Sequence, residues 1–327
     1  MLSNGEKIFV ALATGEFLLG ILVNGFIVLV TCIEWLKSKK LPPGDLILLG
    51  MAISKIGLLC ALAWYSYLIV ISIDVSTKIR IVDIFIGLTQ SSNIWFATIL
   101  SIFYFLKIAN FSNSFFLWMK RRIDRMVFML LVGPLIIYFS LGFIMMEKIH
   151  YYYYGFLSRG NERNVSQEVQ VSKSTFLILQ VLCGLLSLIP FILSTISFSL
   201  LILSLWRHTR QMQLNATGYR DPSTEAHVRA MKAVSSFLIL FLFYFMCIFV
   251  NFWNYSRKNN KLVSMLIMLI ILFYPFGHSV ILVLWNTKLK KAALGVSVQI
   301  RCCQRGSKIQ ALWIPLRIIW HFLGRKK

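Results

Sequence analysis

Seven stretches of this chain, residues 8–33, 46–73, 84–109, 126–146, 176–206, 233–253 and 262–285, are almost wholly apolar, and nothing else in the sequence constrains the fold as strongly. A helix needs about 20 mostly apolar residues to cross a hydrocarbon core of roughly 30 Å. Inside lipid every backbone N–H and C=O must be paired within the protein, so long, non-alternating apolar runs read as helices. Buried helices of soluble proteins seldom carry more than about 14 such residues unbroken. Seven of them in a row would also leave little to cover them. With 58% hydrophobic and 14% charged residues, a chain of 327 residues lacks the polar surface that a soluble fold requires. The expected fold class is an all-α membrane protein, a seven-transmembrane helix bundle. Residues 1–7 form a short segment before it and 286–327 a tail. The first block is too long for the apolar core of a signal peptide, and no basic stretch precedes it, so it is expected to remain as helix one.

Lys37, Lys39 and Lys40 share one side of such a bundle with Lys107, Lys120, Arg121, Arg122 and Arg125, with Arg207, Arg210, Arg220, Arg229 and Lys232, and with the basic tail. The other side carries far fewer basic residues. The positive-inside rule then places the amino terminus outside the cell and the carboxyl terminus in the cytoplasm, in a multi-pass protein of the plasma membrane. The net charge of +22 reads as topology and as attraction to anionic membrane lipid. No nucleic-acid partner is expected, because the basic residues are scattered among loops and no recognition motif accompanies them.

The cysteines are Cys32, Cys60, Cys183, Cys247, Cys302 and Cys303, and none lies in an expected outer loop. Cys302 and Cys303, just beyond the last span, are candidates for palmitoylation. Before them, Leu289, Ala293 and Val296 share one face at helical spacing next to Lys288, Lys290 and Lys291, as in a short amphipathic helix lying on the inner membrane surface. Among the N-x-S/T sequons, Asn164 in the long outer loop is the credible glycosylation acceptor. Asn110 and Asn215 face the wrong side, and Asn254 adjoins the membrane.

Lys55 stands well inside the second block. A charge near the bilayer centre costs about 2.5–3.5 kcal/mol on insertion scales, so it should face the bundle interior and find a partner. Asn24 and Ser279 are the candidates, with Glu16 a third. The three residues Asn24, Lys55 and Ser279 form either an interhelical latch that changes on activation or a purely structural tie. Pro134, Pro190 and Pro275 are expected to kink their helices. No HExxH, phosphate-binding loop, GxSxG or CxxC motif occurs, and His150, His208, His227, His278 and His321 show no metal-ligand spacing. An enzyme is not expected, nor is a cofactor. A transporter with Lys55 and Glu16 as an ion relay is a rival reading, but the odd helix number and the lack of an inverted repeat argue against it.

Several motifs, in order, resemble one family. Helix one carries Glu16-Phe17, Gly20 and Asn24-Gly25-Phe26-Ile27. Helix three carries Trp95-Phe96-Ala97-Thr98 and then Leu100 through Ser112, followed by Phe116-Leu117-Trp118. Helix five and its loop carry Ser204-Leu205-Trp206-Arg207-His208-Thr209 and Arg220-Asp221-Pro222-Ser223-Thr224-Glu225-Ala226-His227. Helix seven carries Tyr274-Pro275, His278-Ser279 and Asn286 with Lys288-Leu289-Lys290. From about Glu16 to Lys291 the chain resembles the type 2 (bitter) taste receptors, a family of seven-helix G-protein-coupled receptors. The resemblance fits what is missing: Phe103-Tyr104-Phe105 replaces the acidic-Arg-aromatic triplet of rhodopsin-like receptors, His278-Ser279-Val280 replaces their Asn-Pro signature, and their outer disulfide cannot form.

The resemblance implies a receptor that binds small bitter agonists from outside and activates a gustducin-like, inhibitory-class G protein in sensory transduction; oligomers are compatible with it. A pheromone or odorant receptor of the same architecture is the alternative. The implied pocket draws on Ile86, Gln90 and Asn93 of helix three, Gln180 of five, Tyr244 of six, and Met268 and Ile271 of seven. Here Ile86 and Gln90 stand where many members carry Trp and Asn, many members carry an acidic residue near Met268, and Lys55 stands where Arg is usual. Tyr104, Lys107, His208 and Lys232 are the expected G-protein contacts; for Lys107 and Lys232, pairing with lipid headgroups is the alternative.

Overall fold

The computed structural model of the chain describes residues 3–71, 76–109, 114–158, 165–215, 232, 234–247, 249–250 and 261–305. Its elements are α1 (Asn4–Ser38), α2 (Pro43–Ile71), α3 (Ser76–Ile108), α4 (Ser114–Arg121), α5 (Ile123–Ser158), α6 (Val165–Asn215), α7 (Val234–Cys247), α8 (Lys261–Trp285) and α9 (Thr287–Arg305). Six of them, α1, α2, α3, α5, α6 and α8, are long and apolar enough to cross a membrane, and α7 is a further, shorter apolar helix within the described range. The order of elements is that of a seven-helix bundle.

The helices outrun the apolar blocks. α5 continues through the tyrosines at 151–154 to Ser158, and α6 begins at Val165, inside the stretch 150–174 that reads as a loop in the sequence. Apolarity marks what must lie in lipid, whereas a helix continues until its end groups are satisfied some other way. α1 shows this at both ends. Ser3 and Glu6 form a reciprocal capping box, Glu6 Oε2 accepting from the Ser3 N–H at 2.8 Å and Ser3 Oγ from the Glu6 N–H at 3.3 Å. At the other end Lys39 takes a left-handed φ of 53° and donates its N–H to the Trp35 carbonyl at 2.8 Å. α2 opens on Pro43, where the missing N–H would be unpaired in any residue.

α3 is the central helix, packed against α2, α5 and α6, while α1 lies against α2 and α8. α7 joins through ring faces: Phe245 stacks on Phe191 of α6 at 3.9 Å between centroids, and Tyr244 on Tyr274 of α8 at 3.8 Å. Lipid supplies no hydrophobic drive between helices, so close approach over small residues has to hold them. A Cβ on Gly20 would lie 2.7 Å from the Leu59 side chain, and one on Gly142 2.8 Å from Leu88. A Cβ on Gly50 would run into the Phe96 ring. Gly50→Leu should therefore force α2 and α3 apart at a cost of about 1–3 kcal/mol. The melting temperature of detergent-purified receptor reads this loss, and Gly25→Ala is the neutral control, since its Cβ meets nothing within 4 Å.

Pro190 lies inside α6, and its carbonyl accepts from Thr98 Oγ1 of α3 at 3.0 Å; the Ser194 hydroxyl donates to Thr98 Oγ1 at 2.7 Å. The proline of α6 is thus stapled to the central helix by buried hydroxyls. Residues after Ala109 hold the short helix α4, with Phe116 turned inward on Phe105 at 5.4 Å and Trp118 outward. On α9 the buried residues are Leu289 and Ala292, with Ala293 and Val296 partly covered, where the helix packs on α8 and α1.

Candidate functional site

The deepest polar cluster joins α1, α2 and α8. Lys55 is fully buried, its Nζ 3.0 Å from Ser279 Oγ and 2.6 Å from His278 Nδ1. Ser279 Oγ donates to Asn24 Oδ1 at 2.7 Å, and Asn24 Nδ2 donates to the Gly20 carbonyl at 2.8 Å. Lys55 Nζ donates to Ser279 Oγ, and the short contact to His278 Nδ1 is a hydrogen bond whose direction follows the tautomer of the ring. The structure brings Asn24, Lys55 and Ser279 together, but Asn24 reaches Lys55 only through Ser279. The additional partner is His278, which spacing arguments passed over. The signal was its place beside Ser279 on the same helix. Glu16 is not part of the cluster: its Oε2 is buried without a hydrogen-bond partner. The bonds of Lys55 run to His278 and Ser279.

The residues named for a pocket fall on α3, α6, α7 and α8. Ile86, Gln90 and Asn93 share one face of α3 at spacings of four and three, half-buried, half-buried and buried in that order. Ile86, Tyr244, Met268 and Ile271 belong to a single packed cluster. Gln180 lies on α6, and its side chain is outside the described residues. Both amide atoms of Asn93 are buried without a hydrogen-bond partner, as are the hydroxyls of Tyr244 and of Tyr274, which stacks on it. Leaving such a group unpaired costs about 1–3 kcal/mol. Native proteins keep few of them without a reason. Tyr274 was not among the expected pocket residues. It sits one residue before Pro275 and looks like packing in the sequence.

At the other end of the bundle, Tyr104 is half-buried on α3 and Lys107 is exposed, its Nζ 5.4 Å from the centroid of the Phe103 ring. Lys232 is exposed just before α7, while the side chain of His208 on α6 lies outside the described residues. α9 is held at this end by Lys288, which bonds Asp45 Oδ2 of α2 at 2.8 Å and Glu34 Oε2 of α1 at 3.2 Å. The bond to Asp45 raises Lys288 above the ordinary lysine range. A raised folded pKa means that the contribution is complete at neutral pH and is lost only as pH climbs through strongly alkaline values. The lysine is 51% exposed, and such surface bridges are worth about 0–1 kcal/mol. Lys288→Met should thus speed amide exchange in the first turns of α9 with little change in overall stability. High salt should do the same to the wild type, and a shift between about pH 6 and 9 should not. Hydrogen-exchange mass spectrometry reads all three. Asn164 lies outside the described residues. Cys302 and Cys303 fall in the last turns of α9, with their side chains outside the description.

Apolar helices of spanning length around a buried Lys–His–Ser–Asn cluster define a multi-pass membrane protein of the seven-helix bundle class. The sequence profile of the taste receptor protein (TAS2R) family matches residues 1–301. Taste receptor type 2 member 7 of Macaca mulatta is 43% identical over 302 residues, covering 91% of this chain and 95% of the relative. Taste receptor type 2 member 10 of Papio hamadryas is 44% identical over 315 residues, covering 95% and 100%. Member 8 of Gorilla gorilla gorilla is 40% identical over 294 residues, covering 89% and 95%. The chain belongs to the type 2 taste receptor family. It is a taste receptor, not an enzyme.

Proposed function

We propose that a small, mostly apolar bitter compound enters a cleft among α3, α6, α7 and α8 from the extracellular side and shifts the receptor toward a state that engages a gustducin-like, inhibitory-class G protein. The observation that carries this reading is the set of unpaired, buried polar groups of Asn93, Tyr244 and Tyr274 on three of those helices. A ligand with one or two hydrogen-bonding groups would pair them, while Ile86, Met268 and Ile271 supply apolar wall and Gln90 a further donor and acceptor. A ligand moves the equilibrium only by binding the active state better than the resting one. Tyr104, Lys107, His208 and Lys232 would then meet the G protein, and the Asn24–Ser279–Lys55 chain would be the latch that differs between states.

In this reading the amino end is extracellular, Asn164 is glycosylated, Cys302 and Cys303 are palmitoylation sites, and oligomers are allowed. The test is a panel of bitter compounds on cells expressing the receptor with a chimeric gustducin-type G protein, read as calcium release. No response to any compound with the G protein present, despite surface expression, would refute the assignment. An Asn164→Gln variant that migrates like wild type before and after glycosidase treatment would refute the glycosylated outer loop.

A further inference from the structure

A cavity of about 320 Å³ opens where α2, α3 and α5 meet, and no residue of the proposed agonist cleft lines it. Its walls are hydrocarbon: Leu49 and Ile53 of α2, Phe96 of α3, and Phe128, Val132 and Leu135 of α5. Ile53, Phe128 and Val132 are exposed on the bundle's outer surface, so the cavity faces membrane lipid. Gly50 shapes it, because only a residue without a Cβ lets the Phe96 ring lie against α2. A water's share of liquid is about 30 Å³, and a methylene occupies nearly the same, so the space takes on the order of ten chain carbons.

One end of this slot is basic. Arg125 precedes Phe128 by three residues and Val132 by seven, which puts all three on one face of α5 with the arginine one turn beyond the slot. Arg121 and Arg122 stand exposed at the elbow between α4 and α5, and the Arg122 guanidinium lies 5.2 Å from the Trp118 ring centroid. The acids nearest on α1 and α2, Glu34 and Asp45, are engaged by Lys288. Asp124 is the one acid within the elbow itself.

We propose that the α2–α3–α5 slot binds an anionic phospholipid, with an acyl chain between Ile53 and Val132 and the phosphate held by Arg122 and Arg125. Basic positions beside an apolar interhelical groove are what an anionic headgroup recognises. A sterol would fill the slot but leave the arginines unused. The site does not depend on which side of the membrane the α4 end faces; that orientation only decides which leaflet supplies the lipid.

The experiment purifies the full-length receptor from an equal mixture of phosphatidylserine and phosphatidylcholine with identical chains and counts the retained lipid by native mass spectrometry. Phosphatidylserine should be retained at least five-fold over phosphatidylcholine. Arg125→Gln should cut that preference about five-fold, Arg125→Lys should keep it, and Val132→Trp, which fills the slot from its lipid side, should remove both lipids. Equal retention by the wild type overturns the proposal without recourse to any variant. So does a preference that survives Arg122→Gln with Arg125→Gln, undiminished retention in Val132→Trp, or displacement of phosphatidylserine by equimolar cholesterol. Melting curves check that each variant is folded.

Discussion

Lys55→Met is expected to destabilise the ligand-free receptor by about 1–3 kcal/mol, the cost of leaving a buried group without its partner. The methionine matches the lysine in length, so packing changes little, while His278 Nδ1 loses its partner at 2.6 Å and Ser279 Oγ its donor at 3.0 Å. Ser279→Ala should cost less alone, because Asn24 keeps its bond to the Gly20 carbonyl. The double variant should fall short of the sum of the singles by at least about 0.5 kcal/mol, as expected for residues in one network. Thermal melts of purified receptor, with surface expression as the cellular readout, measure all three. Strict additivity would mean that the cluster does not act as a unit. Basal signalling per surface receptor separates the latch from a passive tie: a latch predicts a rise in Lys55→Met, since a resting-state contact has been removed, and a tie predicts none. Lys55→Arg, which keeps donors facing His278 and Ser279, should retain most of the stability.

The second large effect has opposite signs in the two measurements. Tyr244→Phe removes a hydroxyl that is buried and unpaired while preserving the stack on Tyr274 at 3.8 Å. The ligand-free receptor should be as stable as the wild type or more so. Agonists that pair the hydroxyl should lose roughly 5- to 150-fold in potency, the equivalent of about 1–3 kcal/mol. Asn93→Leu should behave likewise and more strongly, because two unpaired atoms disappear instead of one. Dose–response curves across the agonist panel, beside melts of the empty receptor, show both signs at once. If neither variant moves the potency of any agonist, the cleft lies elsewhere.

The bundle was legible because lipid allows so few solutions: an apolar run of spanning length has to become a helix, and the described residues hold six helices of that kind and a shorter apolar one at Val234–Cys247. Lys55 and its neighbours were legible for the same reason, since a charge among leucines and isoleucines stands out and calls for partners. His278 was not, because a histidine takes its role from whatever faces it, and no spacing rule reports a contact between α2 and α8. The stack of Tyr244 on Tyr274 was half-read, since a tyrosine in an apolar helix looks the same whether its hydroxyl is paired or not. The slot beside α5 was invisible, because it depends on how closely the Phe96 ring approaches Gly50. The grip of Lys288 on Glu34 and Asp45 joins three helices far apart in the chain, so nothing local in the sequence announces it.

Gly20, Gly50 and Gly142 interlock α1, α2, α3 and α5 like keyed joints, where any displacement meets a side chain at once. α7 instead rests on its neighbours through near-parallel aromatic planes, Phe245 over Phe191 at 21° and Tyr244 over Tyr274 at 12°. Flat faces can glide over one another with little loss of contact. The keyed joints and the flat stacks thus divide the bundle in two, and the helix seated on flat faces is the one that carries an unpaired hydroxyl.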